Sequence, residues 1–201
     1  NTLQTRNNYL AWLKTFCNYL YQRGFITIKP TDGLSLTQRR TKKKNRDVLP
    51  EQALRQLHDY LERHNKHYLL ACYLLHYMFI RPHEMTYIKI GDISLSGPTL
   101  TLHGDNTKNR NDAVLTIPMK VVHLMLDLHI FDCDDSCYLF SERFAPGQSR
   151  KSEKVFRDYW LDHVRKDLKF PAQYKFYSLK DTGITNMLRA NMEVLSCGIM
   201  A

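Results

Sequence analysis

The sequence predicts a mainly α fold carrying one small antiparallel β-sheet, an α+β arrangement. Three observations predict it. Apolar residues recur at helical spacing over most of the 201 residues. That period gives way to alternation between residues 93 and 117, and helical spacing then returns. At 43% hydrophobic, 11% aromatic and 24% charged residues, the composition is globular rather than disordered or fibrous.

The first helix is expected over residues 3–23, with Leu10, Leu13, Phe16, Cys17 and Leu20 on one face and Gly24 as its stop. A lone amphipathic helix has nothing to bury against. This stripe therefore docks on the rest of the chain or belongs to a larger helical domain. The pattern lapses across residues 25–47, where Pro30, Asp32 and Gly33 make a turn. Pro50 opens a second helix with Leu54, Leu57, Tyr60 and Leu61 on one face. Residues 66–79 are apolar nearly all round, so that helix must be central. A short helix follows over 84–90. Ile93 and Leu95, then Leu100 and Leu102, then Val114, Leu115 and Ile117 form a meander, with Gly97-Pro98 and residues 109–112 as turns. Helices over 119–131, 152–169 and 176–190 close the fold, ahead of a short apolar piece to Ala201.

Charge is distributed unevenly. The first 47 residues hold ten basic and two acidic side chains, which is +8 of the net +9. Arg39, Arg40, Lys42, Lys43, Lys44 and Arg46 pack six cations into eight residues, a self-repelling run that stays extended until phosphates neutralise it. A basic arm on a nearly neutral body is the footprint of a polyanion binder, nucleic acid foremost, with a solvated basic linker as the plain alternative. The five cysteines are odd in number and unevenly spaced, which argues for reduced thiols in a cytosol. The longest nearly apolar run, residues 68–80, is too short to span a bilayer and no leader opens the chain, so no membrane partner is expected.

Several chemistries are excluded. No glycine loop of phosphate-cradling pattern and no strand-turn-helix serine elbow occurs. His129, Cys133 and Cys137 recur every fourth residue, but Asp132, Asp134 and Asp135 break any helix there and no second Cys/His pair follows. His64 and His67 likewise lack a partner pair, so no metal is expected. What remains is a set of isolated cations. Arg81 follows the central helix directly, and an arginine there is costly to bury without an anion. Glu84 can hold its guanidinium and leave one edge for a phosphate, although a plain Arg–Glu pair accounts for the same spacing. Lys108 sits beside the turn between two apolar strands. Tyr177 and Lys180 share one helix face at i, i+3.

Order and surroundings join these signals. The stretch Phe79-Ile80-Arg81-Pro82-His83-Glu84-Met85, leading to Ile90-Gly91-Asp92-Ile93, resembles the first-arginine box of the tyrosine recombinase (phage integrase) family. Thr107-Lys108 followed by Val114-Leu115-Thr116-Ile117-Pro118 is similar to that family's β-hairpin lysine region. Tyr177-Ser178-Leu179-Lys180-Asp181-Thr182 falls where the family has its His-x-x-Arg box. The likeness covers essentially the whole chain and is nearest to integrases of Bacteroides-type bacteria.

The resemblance implies a domain order. Residues 1–38 would end a helical, SAM-like core-binding domain, 39–47 would be a basic linker, and 48–201 a catalytic domain lacking its C-terminal end. It also implies roles. Arg81 is expected to clamp the scissile phosphate and Glu84 to orient it. Lys108 is the expected general acid for the leaving 5′-oxygen, Tyr177 a hydrogen-bond donor, and Lys180 a second phosphate cation. A 3′-phosphotyrosine stores the bond energy, so neither cofactor nor metal is implied. The expected partner is double-stranded DNA, with a homotetramer on DNA and a monomer or weak oligomer without it. The setting is a bacterial cytoplasm, on the nucleoid, during integration or excision of a mobile element.

Three departures from the family pattern stand out. Tyr177 for histidine keeps a donor but loses a group titrating near neutrality. Lys180 for arginine keeps the charge but loses the bidentate fork. None of the 21 residues after Lys180 is a tyrosine, so the nucleophile is expected beyond Ala201 and the chain as given is expected to bind DNA without cleaving it. A non-catalytic DNA-binding remnant or regulator, or a helical protein-binding module, are the alternatives.

Overall fold

A computed structural model describes residues 2–36, 46–107 and 110–190. The chain divides into two compact units, Asn1–Asn45 and Arg46–Ala201. In the first, α1 (Leu3–Gln22) starts at Thr2, whose hydroxyl accepts a hydrogen bond from the Thr5 N–H at 3.2 Å. It stops at Gly24, whose φ of +74° reverses the chain at no steric cost. The expected apolar stripe is only partly covered. Cys17 is buried, Leu13 and Phe16 are exposed, and the neighbouring Trp12 is 79% exposed. The other described residues of this unit, 23–36, form turns too short to cover a 20-residue helix.

The second unit is mainly helical around a three-stranded antiparallel sheet, the architecture expected from the sequence. Helix α2 (Glu51–His64) begins one residue after Pro50 and buries Ala53, Leu57, Tyr60 and Leu61; Leu54 packs at the edge. Asn65 separates it from α3 (Lys66–Tyr77) and caps α3 by accepting the Tyr68 N–H at 2.9 Å. Eight consecutive residues of α3, Tyr68 to Leu75, are buried, so this helix is enclosed on every side. The expected helix over 84–90 is instead a single turn, α4 (Pro82–Met85), with a 3₁₀ turn at Ile90–Asp92. Proline at the first position starts α4 early.

Strands β1 (Ile93–Ser94), β2 (Thr99–Leu102) and β3 (Ala113–Thr116) follow in sheet order β1-β2-β3. Ile93 pairs with Leu100 and Leu100 with Leu115, which turns Leu100 and Leu102 into the core. Two apolar residues face away: Val114 is 66% exposed, and Leu95 lies past the end of β1 and is exposed too. Helix α5 (Met119–Asp127) ends four residues earlier than expected, because His129 takes a left-handed conformation before a 3₁₀ turn at Ile130–Asp132.

The stretch expected as one helix over 152–169 runs as α6 (Lys154–Tyr159), a π turn (Trp160–Val164) and α7 (Arg165–Asp167). Trp160 is buried there and its indole N–H donates to the Tyr174 carbonyl at 2.8 Å. Helix α8 (Ser178–Arg189) closes the described chain and packs against α3. Gly183 makes that approach possible, since a Cβ there would lie 1.9 Å from the His76 carbonyl oxygen.

Candidate functional site

Helix α3 ends at Tyr77, and Phe79 then adopts φ +57°, a left-handed turn made without glycine. That turn directs the Phe79 carbonyl toward α8, where the Lys180 Nζ donates to it at 2.6 Å. Two residues on, Arg81 starts α4. Its backbone N–H donates to Glu84 Oε2 and its Nη1 to Glu84 Oε1, both at 2.8 Å. Glu84 is buried and both of its oxygens are engaged, so the carboxylate holds the guanidinium at a fixed orientation. The Glu84 hydrogen bond raises the Arg81 pKa above its ordinary value, and the Tyr177 phenol adds to it as a further hydrogen-bonding partner.

Tyr177 and Lys180 lie at the start of α8, and their environments differ. Tyr177 is half-buried at the cleft wall, with the Arg46 guanidinium 4.5 Å over its ring. Lys180 is 6% exposed. Its burial, and then the nearby Arg81 charge, hold the ammonium's pKa below the ordinary lysine value. Four expected residues, Arg81, Glu84, Tyr177 and Lys180, therefore meet in one place from segments about a hundred positions apart.

The other expected site residues divide into two groups. Lys108 lies outside the described residues, in the connection between β2 and β3. Arg39, Arg40, Lys42, Lys43 and Lys44 also lie outside them. Arg46 is described, and it is no free linker cation: it pairs with Asp181 at 3.4 Å and stacks on Tyr177.

A cleft of about 550 Å³ opens at Arg81 and Tyr177. Arg46, His83, Lys154, Arg157 and Lys175 also line it, with Glu153 as the only carboxylate among the described lining residues. His83 lies 3.6 Å from Glu153, and Arg157 pairs with Asp158 at 2.7 Å. Sequence reasoning missed Lys154, Arg157 and Lys175. A signal was present: Arg150, Lys151, Lys154 and Arg157 make a second basic cluster at the entry to α6, and Lys175 lies two residues before Tyr177. A walled cleft with this excess of cations suits a phosphodiester, whose two non-bridging oxygens share one negative charge and take charge-assisted donors. Among the described residues no cluster of three His, Cys, Asp or Glu could hold a metal, and no helix is long and apolar enough to cross a membrane.

No family model matches this sequence, and no curated protein does either. Solved structures do. An integrase of the Tn1549 transposon, in complex with transposon right end DNA, matches with a TM-score of 0.74 at 14% identity over 98% of this chain and 70% of that one. A lambda integrase dimer bound to a COC′ core site matches with 0.73 at 14% identity, over 98% of this chain and 71% of that one. The integrase of mycobacterium phage Brujita matches with 0.59 at 17% identity, over 96% of this chain and 61% of that one. The chain thus spans roughly two thirds of the length of these structures, and shares their fold.

Proposed function

We propose that this protein is a site-specific DNA recombinase of the tyrosine type, working on a mobile element. The observation that carries the reading is a basic cleft lined by Arg81 and Tyr177, with Glu84 and Lys180 buried behind Arg81, in a fold shared with transposon and phage integrases. The partner is duplex DNA, a reading supported by matched integrases bound to a COC′ core site and to transposon right end DNA. In this reading Glu84 holds Arg81 so that its guanidinium meets a non-bridging oxygen of the scissile phosphate. Charge that develops on a pentacoordinate phosphorus is then met by donors already in place, which is how fixed dipoles lower a barrier. Tyr177 donates its phenol to the same group, and Lys180 adds a buried positive charge behind Arg81. Lys108 protonates the departing 5′-oxygen. The attacking hydroxyl is supplied by a tyrosine outside these 201 residues, with residues 1–38 and the basic linker holding the duplex. Four protomers on two sites, in a bacterial cytoplasm, complete the proposal.

A nicked suicide duplex tests it with the gene's full product. Cleavage beside the nick frees the 5′-hydroxyl fragment and traps a covalent protein–DNA adduct. Arg81→Ala should abolish the adduct while leaving duplex affinity within about threefold, because a phosphate clamp at one position is a small share of many backbone contacts. Neutralising Lys42, Lys43 and Lys44 should instead weaken binding on every sequence. A second reading, a DNA-binding regulator with this fold, is favoured by one observation: Lys180 is committed to the Phe79 carbonyl in the place of an arginine fork. Tight, strongly salt-dependent binding with no adduct from the full product selects that regulator. Affinity that does not change with salt removes DNA as the partner, since each neutralised phosphate should contribute a slope near about −0.9 in log affinity against log salt.

A further inference from the structure

We infer that Arg46, and not Lys180, is the second cation that a phosphate in the cleft meets directly, paired with Arg81 across Tyr177. The inference rests on the recombinase reading for its ligand, a DNA phosphodiester, but on this chain's own geometry for the residue. Lys180 lies beneath the site: it is 6% exposed and its Nζ donates to the Phe79 carbonyl at 2.6 Å. A buried ammonium in that position supports the turn before Arg81 and contributes charge, without offering a fork at the surface.

Arg46 has the opposite disposition. It lines the cleft together with Arg81 and Tyr177. Its guanidinium carbon lies 4.5 Å from the Tyr177 ring centroid, and its Nε lies 3.4 Å from Asp181 Oδ2. The ion pair is made through Nε, so the Nη edge is not what anchors the side chain. An aromatic ring beneath and a carboxylate at Nε anchor a guanidinium while leaving its far edge to donate to a two-oxygen anion.

The backbone just after Arg46 is fixed as well. The next residue, Asp47, donates its N–H to the Gln173 carbonyl at 3.3 Å, and the Leu49 N–H donates to Thr182 Oγ1 at 2.9 Å. Thr182 in turn donates to the Ser178 carbonyl at 2.7 Å, within the first turn of α8. The strand of chain that brings in Arg46 is therefore tied to the helix that carries Tyr177 and Asp181. Arg46 belongs to the cleft by construction.

Side-chain NMR of the 201-residue chain, labelled with ¹⁵N arginine, tests this against inorganic phosphate and then against a short duplex. The Nε–H resonances of Arg46 and Arg81 should move together with one midpoint. Arg46→Ala should weaken phosphate binding about tenfold, as loss of a charge-assisted bidentate contact at a half-buried site implies. Arg46→Lys should lose nearly as much, since an ammonium neither stacks flat on Tyr177 nor bridges two oxygens. If Arg81 moves while Arg46 stays still, or if Arg46→Ala binds within about twofold of the parent, the inference is overturned and the recombinase reading stands. If neither resonance responds to phosphate or duplex, both are overturned.

Discussion

Replacing Gly183 by alanine should destabilise the second unit and disturb the cleft together. The added Cβ would lie 1.9 Å from the His76 carbonyl oxygen and 2.9 Å from a ring carbon of Phe79. To restore even a 3.0 Å contact, α3 and α8 must part locally by about 1.1 Å, the difference between that distance and the built one. The obstacle is helix backbone, which cannot rotate away as a side-chain tip can. Overpacking of this kind costs up to about 3 kcal/mol. Alanine's better helix propensity returns about 1 kcal/mol. The net loss of about 2 kcal/mol lowers Tm by about 4–8 °C for a domain of this size. Parting the helices also draws Lys180 away from the Phe79 carbonyl, so in the proposed reading adduct formation by the full product should fall with stability while duplex affinity changes little. Gly97→Ala serves as the control, because no atom lies within 4 Å of its built Cβ. Thermal unfolding of both variants decides the matter. Equal Tm values for Gly183→Ala and Gly97→Ala would refute the close approach and the coupling argued from it.

Other perturbations follow from the same geometry. Glu84→Gln gives up one of two acceptors in a buried position and turns an amide N–H toward an Arg81 donor, so the urea midpoint should drop by the equivalent of about 2 kcal/mol with m unchanged; an unshifted midpoint would show that the pair holds nothing in place. Lys180 has a lowered pKa in the fold, so between that value and the ordinary 10.5 the folded state binds fewer protons than the unfolded one. Stability relative to Lys180→Met should therefore rise as pH climbs toward the ordinary 10.5, and urea titrations showing a fall would reverse the assignment. Burial lowers the His76 pKa, outweighing the hydrogen bond its Nδ1–H donates to the Leu179 carbonyl at 3.1 Å, which favours the charged form. Its contribution is present above the ordinary 6.5 and lost as pH falls below it. His76→Asn should flatten that acid limb in pH-dependent unfolding.

How much of this was legible in the sequence depends on the range of the interaction that decides each feature. Residues 66–79 declared a central helix because apolarity on every face has one physical solution, and eight consecutive residues there are buried. Arg81 and Glu84 were legible as a pair because a three-residue separation at a helix start brings their groups together regardless of what lies elsewhere. Strand facing was harder. Val114 and Leu115 are adjacent and both apolar, so only the pairing of Thr101 with Val114 settles that Val114 looks outward. The first helix was legible as a helix, whereas the covering of its stripe was not, since periodicity specifies a face and never its occupant.

The cleft itself turns on features that local spacing cannot carry. The i, i+3 spacing of Tyr177 and Lys180 leads to the expectation of one shared helix face; Tyr177 lies at the N-cap of α8 and Lys180 in its first turn. Depth separates them, and depth is set by how closely α8 approaches α3, which rests on Gly183 opposite the His76 carbonyl. The partner for Lys180 is a carbonyl exposed by a left-handed phenylalanine, and nothing in the residue type Phe79 announces φ +57°. Arg46 was visible as the last cation of a basic run. Its place beside Tyr177 depends on hydrogen bonds from Asp47 to Gln173 and from Leu49 to Thr182, contacts well over a hundred positions apart. A basic run therefore suggests a class of ligand, because charge acts at a distance. Which of its cations lines the cleft is decided by tertiary bonds that fix the backbone just after one arginine.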